Sequence, residues 1–128
     1  MTKEWDLRAR TMNFAVAAFR FCRAVRRTDE GQDIVPQLRR ASSSVAANYR
    51  ALCRSSTDRV FASKAATLIE EADEVSFWLE LLVRVELVKR SEIAGLLGEA
   101  NELLAIFVAS RKTVLVRIDN ARKRQRAG

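Results

Sequence analysis

The chain has 128 residues and a formal net charge of +7, and almost half of it, 48%, is hydrophobic. It has one proline, four glycines and no histidine, so both the commonest general base and the commonest metal ligand are missing. These features favour a basic, helical single domain, residues 1–128, and predict neither an enzyme nor a cofactor or metal site.

The first predicted helix covers residues 6–27. Its inward positions alternate at intervals of four and three residues, the spacing of a packed helix, and they are Leu7, Thr11, Phe14, Ala18, Phe21 and Val25. Arginines near its C-terminal end are favoured there by the helix dipole. The next segment, residues 28–33, is predicted to be a loop that turns at Gly31.

The second predicted helix covers residues 34–54. We expect Asp33 to cap it and Pro36 to lie in its first turn, where a missing N–H costs little. One narrow stripe of the helix consists of Leu38, Ala41, Val45, Asn48 and Leu52. An amide therefore stands where the period calls for an apolar side chain.

The third and fourth predicted helices cover residues 57–89 and 91–123. The inward stripe of the third consists of Phe61, Ala65, Leu68, Ala72, Val75, Leu79 and Leu82. In the second half of the third, residues 77–88, apolar side chains occur nearly all round, which predicts contact with another subunit. Ser91 is the expected cap of the fourth helix. The basic tail, residues 122–128, is expected to be loose and solvated.

Four helices with short connections predict an all-α, antiparallel up-down-up-down four-helix bundle that assembles as a homo-oligomer. Cys22 and Cys53 fall within helical patterns, and without a secretory leader they are interpreted as buried thiols of a cytoplasmic protein, with a disulfide as the alternative. The longest apolar run, residues 103–109, is much shorter than the roughly 20 residues of a membrane span, so no membrane contact is expected.

The positive charge is unevenly distributed. Residues 1–60 carry twelve Lys or Arg against six Asp or Glu, and residues 107–128 carry seven against one, which favours an anionic partner. Such a partner is either RNA or DNA, contacted through phosphates, or an acidic protein; the remaining alternative is a solvated face that only confers solubility. The candidate residues are Arg20, Arg23, Arg26, Arg27, Arg39, Arg50, Arg54, Arg111, Lys112, Arg117, Arg122, Lys123, Arg124 and Arg126.

Asn48, Glu71 and Glu74 form the one set of polar residues whose pattern indicates a specific contact or site. We interpret them as a buried contact between the second and third helices that fixes helix register, as a single core asparagine does in coiled coils. Replacing Asn48 by leucine is then expected to alter the uniqueness of the assembly more than its stability. The alternative is a ligand or catalytic carboxylate site that uses Glu71 or Glu74, although no histidine or nucleophile accompanies them.

Two runs of sequence carry a family resemblance: QLRRASSSVAANYRA, residues 37–51, and EEADEVSFWLELL, residues 70–82. They resemble the bacterial four-helix-bundle proteins first noticed as products of intervening sequences in 23S ribosomal RNA genes, which are related to the accessory protein of diversity-generating retroelements. The resemblance implies a ring-like homopentamer, no enzyme activity, and binding to nucleic acid, a ribonucleoprotein or a nucleic-acid-processing protein. Where many members continue Ile-Ala-Glu-Gly after the asparagine, this chain has residues 49–52, Tyr-Arg-Ala-Leu.

Overall fold

The computed structural model describes residues 3–128, with side chains from residue 6 onward. Four α-helices account for nearly all of it: α1, Lys3–Ala24; α2, Asp29–Cys53; α3, Asp58–Arg84; and α4, Arg90–Ala127. Within the described residues there is no β-strand, which confirms the all-α fold class. Cys22 is buried and Cys53 half-buried, and no disulfide joins them.

The connection between α1 and α2 differs from the prediction. The helix α1 ends at Ala24, not at residue 27, and α2 begins at Asp29, not at residue 34. Thr28 rather than Asp33 is the cap, because its Oγ1 accepts a hydrogen bond from the Gly31 N–H at 2.9 Å.

Gly31 consequently lies inside the first turn of α2 rather than in a loop. A Cβ at this position would lie 3.1 Å from Thr28 Oγ1 and 3.6 Å from Leu87 Cδ1, so the absence of a side chain allows close packing there. Pro36 lies well inside α2 instead of in its first turn. The hydrogen bond that this proline cannot make would end at Gln32, an exposed residue whose surroundings are accessible to water.

The connection between α3 and α4 begins earlier than predicted, because α3 ends at Arg84 and not at residue 89. Leu87 N–H donates to the carbonyl of Leu82, and Glu86 adopts φ 66°, as expected of a left-handed residue closing a helix. At the start of α4, the Glu92 side chain accepts from the Lys89 N–H at 2.9 Å, so the helix is not capped by Ser91.

The core is one apolar cluster between the helices. Its fully buried large side chains come from the predicted stripes of α2 and α3 and from α4, and they are Leu38, Val45, Leu68, Val75, Leu79, Leu82, Ile93 and Leu103. The helix α3 packs extensively against both α2 and α4, whereas α1 packs mainly against α2 and touches α4 sparsely. Most side chains that sequence periodicity placed inside are therefore buried, while Leu7, Phe21, Asn48 and Phe61 are half-buried.

Residues 77–88 do not expose the apolar surface that was predicted for them. Phe77 is exposed, but Leu79, Leu82 and Val88 are buried, and Trp78 and Leu81 pack partly against the core. The partly buried side chains of this segment pack against the core cluster, so residues 77–88 expose less apolar surface than the sequence predicts. Contact of this segment with another subunit stays a prediction.

The large exposed apolar side chains lie mostly on α1 and α4. They are Met12, Val16 and Phe19 on α1, and Val108, Leu115 and Val116 on α4. By length and composition alone α4 could cross a membrane, since an 18-residue window has mean hydropathy 1.5 and only 28% of it is buried. One such helix is weak evidence for a membrane span, and the low burial shows that the other helices leave much of this window uncovered.

Candidate nucleic-acid interface

A cavity of about 510 Å³ opens where the end of α1 meets the start of α2. Four of the predicted cationic residues line it, Arg23, Arg26, Arg27 and Arg39, and we call this space the arginine cavity. Only Arg23 belongs to α1, because the helix ends before Arg26 and Arg27, which lie in the connection to α2. Because α1 ends early, two arginines that were predicted to be helical lie in the connection and share the cavity with Arg39 of α2.

The arginine cavity is strongly cationic. No acidic residue lines it, and within the described residues none of its four guanidinium groups has a carboxylate within ion-pair distance. Its apolar wall includes Cys22, whose pKa burial raises to about 11 while the nearby positive charge of Arg39 acts in the opposite direction. The half-buried Arg39 therefore places its charge close to a buried thiol that stays protonated at neutral pH.

Arg20 continues this basic surface along α1. It is exposed and, with Arg23, borders a second cleft of about 400 Å³ between α1 and α2. The floor of this cleft is apolar and includes Met12, Val16 and Phe19. Five predicted residues, Arg20 and the four of the arginine cavity, therefore form one continuous patch.

The other predicted residues do not join that patch. Arg50 follows Arg39 by eleven residues on α2, which places them about 16 Å apart along the helix axis. Arg50 and Arg54 are exposed near the end of α2, at the same end of the molecule as Leu7, because Leu7 shares a cavity of about 730 Å³ with Leu52. The predicted basic surface is therefore divided between two ends.

Three predicted cations are engaged within the chain. Arg111 Nε donates to the Ala62 carbonyl at 3.0 Å, and Arg117 forms an ion pair with Asp58 at 2.9 Å. Lys123 contacts Asp119, four residues earlier on the same helix, at 3.2 Å. Their positive charge is partly used to hold α3 and α4 together or to neutralise an adjacent acid.

The C-terminal tail is helical rather than loose. The helix α4 continues to Ala127, and Arg122, Lys123, Arg124 and Arg126 are all exposed along it, as is Lys112. Because Arg117 pairs with the first residue of α3, the ten residues after it extend about 15 Å beyond that contact.

Arg59 was not among the predicted cationic residues, although it shares a shallow cleft with Arg111 and Arg122. In the sequence, only its position outside the inward stripe of α3 could have identified it as a surface cation.

A family model described as 23S rRNA-intervening sequence protein matches residues 3–109, most of the chain. The chain belongs to this family. It is similar in structure to a crystal structure from Bacteroides thetaiotaomicron, described as a protein with unknown function from the S23 ribosomal protein family. The TM-score is 0.77 at 23% identity over 87% of this chain and 99% of that one, which shows a shared fold. No curated protein matches the chain.

The two sequence runs that carry the resemblance to the 23S rRNA-intervening sequence family meet in the structure. Asn48 Nδ2 donates to Glu71 Oε1 at 2.5 Å, and Arg40 pairs with Glu74 at 2.7 Å. Glu71 is buried at 8% exposure, while Glu74 lies nearer the surface. Asn48 therefore bonds one of the two acids proposed for it, and Arg40 takes the other.

The arrangement around Glu71 suits a structural contact better than a reaction. Its carboxylate is covered by the packing of α2 on α3, and its hydrogen-bond donor is an amide rather than a nucleophile or a base. Among residues 6–128 there is no group of three or more Cys, Asp or Glu side chains placed to hold a metal ion. The cationic patch is consequently the stronger candidate for a functional site.

Proposed function

We propose that this protein is a non-enzymatic, self-assembling bundle that binds RNA or DNA through phosphate contacts, chiefly at the basic patch formed by Arg20 and the arginine cavity. The observation that carries the proposal is the gathering of cationic side chains that have no acidic partner in the described chain. Some arginines of the described chain form ion pairs with acids, as Arg10, Arg40, Arg90 and Arg117 do. Others, such as Arg50 and Arg54, form none, but the patch brings five such arginines together.

Unpaired surface arginines favour phosphate as a ligand, because a guanidinium donates two parallel hydrogen bonds to adjacent oxygens. Neutralising phosphates releases the counterions condensed on a nucleic acid, so affinity depends steeply on salt. We expect little dependence on base sequence, since contacts to phosphates position a protein but do not discriminate bases.

We propose the antiparallel up-down-up-down order for the helices. Paired residues support it: Asp58 contacts Arg117, Ala62 contacts Arg111, and Glu80 contacts Arg90, so the position on α4 falls as the position on α3 rises. The same trend between α2 and α3 links residue 51 with 64, 48 with 71, and 40 with 74.

We also propose a homo-oligomer, with five subunits as the family resemblance implies. The support within this chain is the uncovered apolar surface of α1 and α4, in particular Met12, Val16 and Phe19 at helical spacing on α1 and Val108 and Leu115 one heptad apart on α4. A second copy of the chain would cover these side chains. Repetition of the basic patch in each subunit would turn weak phosphate contacts into tight overall binding.

Fluorescence anisotropy with labelled RNA and DNA across a salt titration tests nucleic-acid binding. We expect affinities that vary little with sequence and fall linearly in log–log form with salt. Changing Arg20, Arg23 and Arg27 to glutamine should weaken binding equally for all sequences, and removing residues 122–128 should reduce the salt slope without unfolding the bundle. An intact oligomer that fails to bind even at low salt would favour an acidic protein partner instead.

Light scattering tests self-assembly. A particle of 14.5 kDa, the mass of one chain, at micromolar concentration would contradict the homo-oligomer. Replacing Met12 and Phe19 by glutamate should dissociate the assembly if their face of α1 is covered by another copy. Replacement by glutamate of the exposed Val60, which lies on α3 outside residues 77–88, is the matched control and should leave the assembly intact.

A further inference from the structure

We infer that the arginine cavity binds the phosphate-bearing nucleoside at the end of a nucleic-acid strand, or the equivalent free nucleotide, rather than phosphates along a strand. The inference deepens the proposed function and rests on it for the strand-bound form. The two sources share one chemistry, a nucleoside carrying a phosphate monoester.

The charge of the cavity favours a doubly charged group. A terminal phosphate carries a charge of about −1.5 to −2 at neutral pH, whereas a phosphate within a strand carries −1. Arg23, Arg27 and Arg39 face the cavity without an acidic partner in the described chain, and the acids at the start of α2 do not line it. Arg26 also borders a neighbouring cleft with Glu86 and Glu92, so its charge is partly offset.

The position of Arg39 distinguishes this cavity from an ordinary basic surface. Its side chain is half-buried, unlike the exposed Arg23 and Arg27, and its charge acts on the buried Cys22. A partly desolvated guanidinium without a counter-charge is unfavourable, and an anion that enters the cavity relieves this. A phosphate within a strand carries the chain on both sides, so a terminal phosphate meets less steric hindrance on entering a cavity beside Arg39.

The size and lining of the cavity suit more than a phosphate. Its volume of about 510 Å³ falls in the range of roughly 300–1,000 Å³ typical of small-molecule sites. Val25, Val35 and Pro36 supply an apolar wall for a sugar or base. The planar faces of the arginines can stack on an unpaired base, as in single-strand recognition.

Calorimetry on the intact protein tests the cavity directly, with adenosine monophosphate, adenosine and inorganic phosphate as probes. Anisotropy tests it on strands, with one single-stranded oligonucleotide prepared with a 5′-phosphate, a 3′-phosphate or only hydroxyl ends. We expect the nucleotide to bind and adenosine not to bind. The strand phosphorylated at one of its two ends, either 5′ or 3′, should bind about tenfold more tightly than the strand with only hydroxyl ends. This is the gain expected of one or two charge-assisted hydrogen bonds.

Two double variants that each remove two positive charges separate the cavity from general electrostatics. Arg23→Gln with Arg39→Gln should abolish the preference for a phosphorylated end while leaving some binding of the hydroxyl form. Arg50→Gln with Arg54→Gln, at the other end of the molecule, should weaken all strands equally and keep the preference. If the half-buried Arg39 proves necessary for folding, judged by helical circular dichroism, Arg23→Gln with Arg27→Gln replaces the first variant.

The outcomes are distinguishable. Equal binding of phosphorylated and hydroxyl-ended strands, with no binding of the nucleotide, would overturn the inference and leave the proposed function standing. Nucleotide binding that requires Arg23 and Arg39, without any binding of strands at low salt, would support the cavity and refute the proposed function. Loss of the preference in both double variants alike would also overturn the inference.

Discussion

Replacing Asn48 by leucine removes the only hydrogen-bond donor found for the Glu71 carboxylate among the described residues. Glu71 is 8% exposed, so the bond of 2.5 Å from Asn48 Nδ2 largely substitutes for water. The sequence alone predicts that this change alters the uniqueness of the assembly more than its stability. The buried acid reverses that expectation, since the variant leaves a carboxylate between α2 and α3 without a partner.

The expected loss follows from two opposing contributions. A hydrogen bond to a charged group contributes about 1.5–3 kcal/mol, and removing one partner of a buried pair also leaves the other group desolvated. Asn48 is only half-buried, so we expect a value of about 2–3 kcal/mol. Burial of part of the leucine side chain returns about 1 kcal/mol, for a net destabilisation of about 1–2 kcal/mol.

Urea unfolding at fixed protein concentration, followed by circular dichroism, measures the effect. Glu71→Met keeps the approximate shape of the acid without its charge, and the double variant Asn48→Leu with Glu71→Met should recover to within about 1 kcal/mol of the parent protein. The double-mutant cycle then gives the coupling between the two side chains. An Asn48→Leu protein at least as stable as its parent would refute the reasoning.

Two further changes test other contacts. Arg10 donates to both carboxylate oxygens of Glu99, at 2.7 and 2.8 Å, and this hydrogen bonding lowers the pKa of Glu99 below its ordinary value of 4.5. The pair therefore stabilises the protein above pH 4.5, and this stabilisation is lost as the pH falls through the lowered pKa. In urea unfolding, Glu99→Gln should reduce the free energy of unfolding by about 1 kcal/mol near pH 7 and by less near pH 3. An equal loss at both pH values would contradict an ionic origin. Glu86→Gly should stabilise the protein by about 1 kcal/mol, because glycine adopts the φ of 66° at the end of α3 without strain. Thermal unfolding measures this change, with Glu86→Ala as the control that should bring no gain.

The sequence determined which faces of the helices form the core. The alternation of three and four residues through Leu38, Val45, Leu68 and Val75 predicted burial that the structure confirms, because this period keeps side chains on one face of a helix whatever its neighbours are. The same local logic identified Asn48 as a polar side chain within that stripe. It did not decide which of the two nearby acids would bond it.

Only the tertiary structure decided where α2 begins and which arginines act together. Thr28 and Asp33 are both plausible caps; the structure uses Thr28, and Gly31, whose N–H it accepts, lies close to Leu87, 56 residues away in sequence. Arg111 likewise finds its acceptor 49 residues away, at a carbonyl of α3. Charge composition cannot separate such engaged cations from those of the arginine cavity, because the difference depends on contacts between helices that local sequence does not specify.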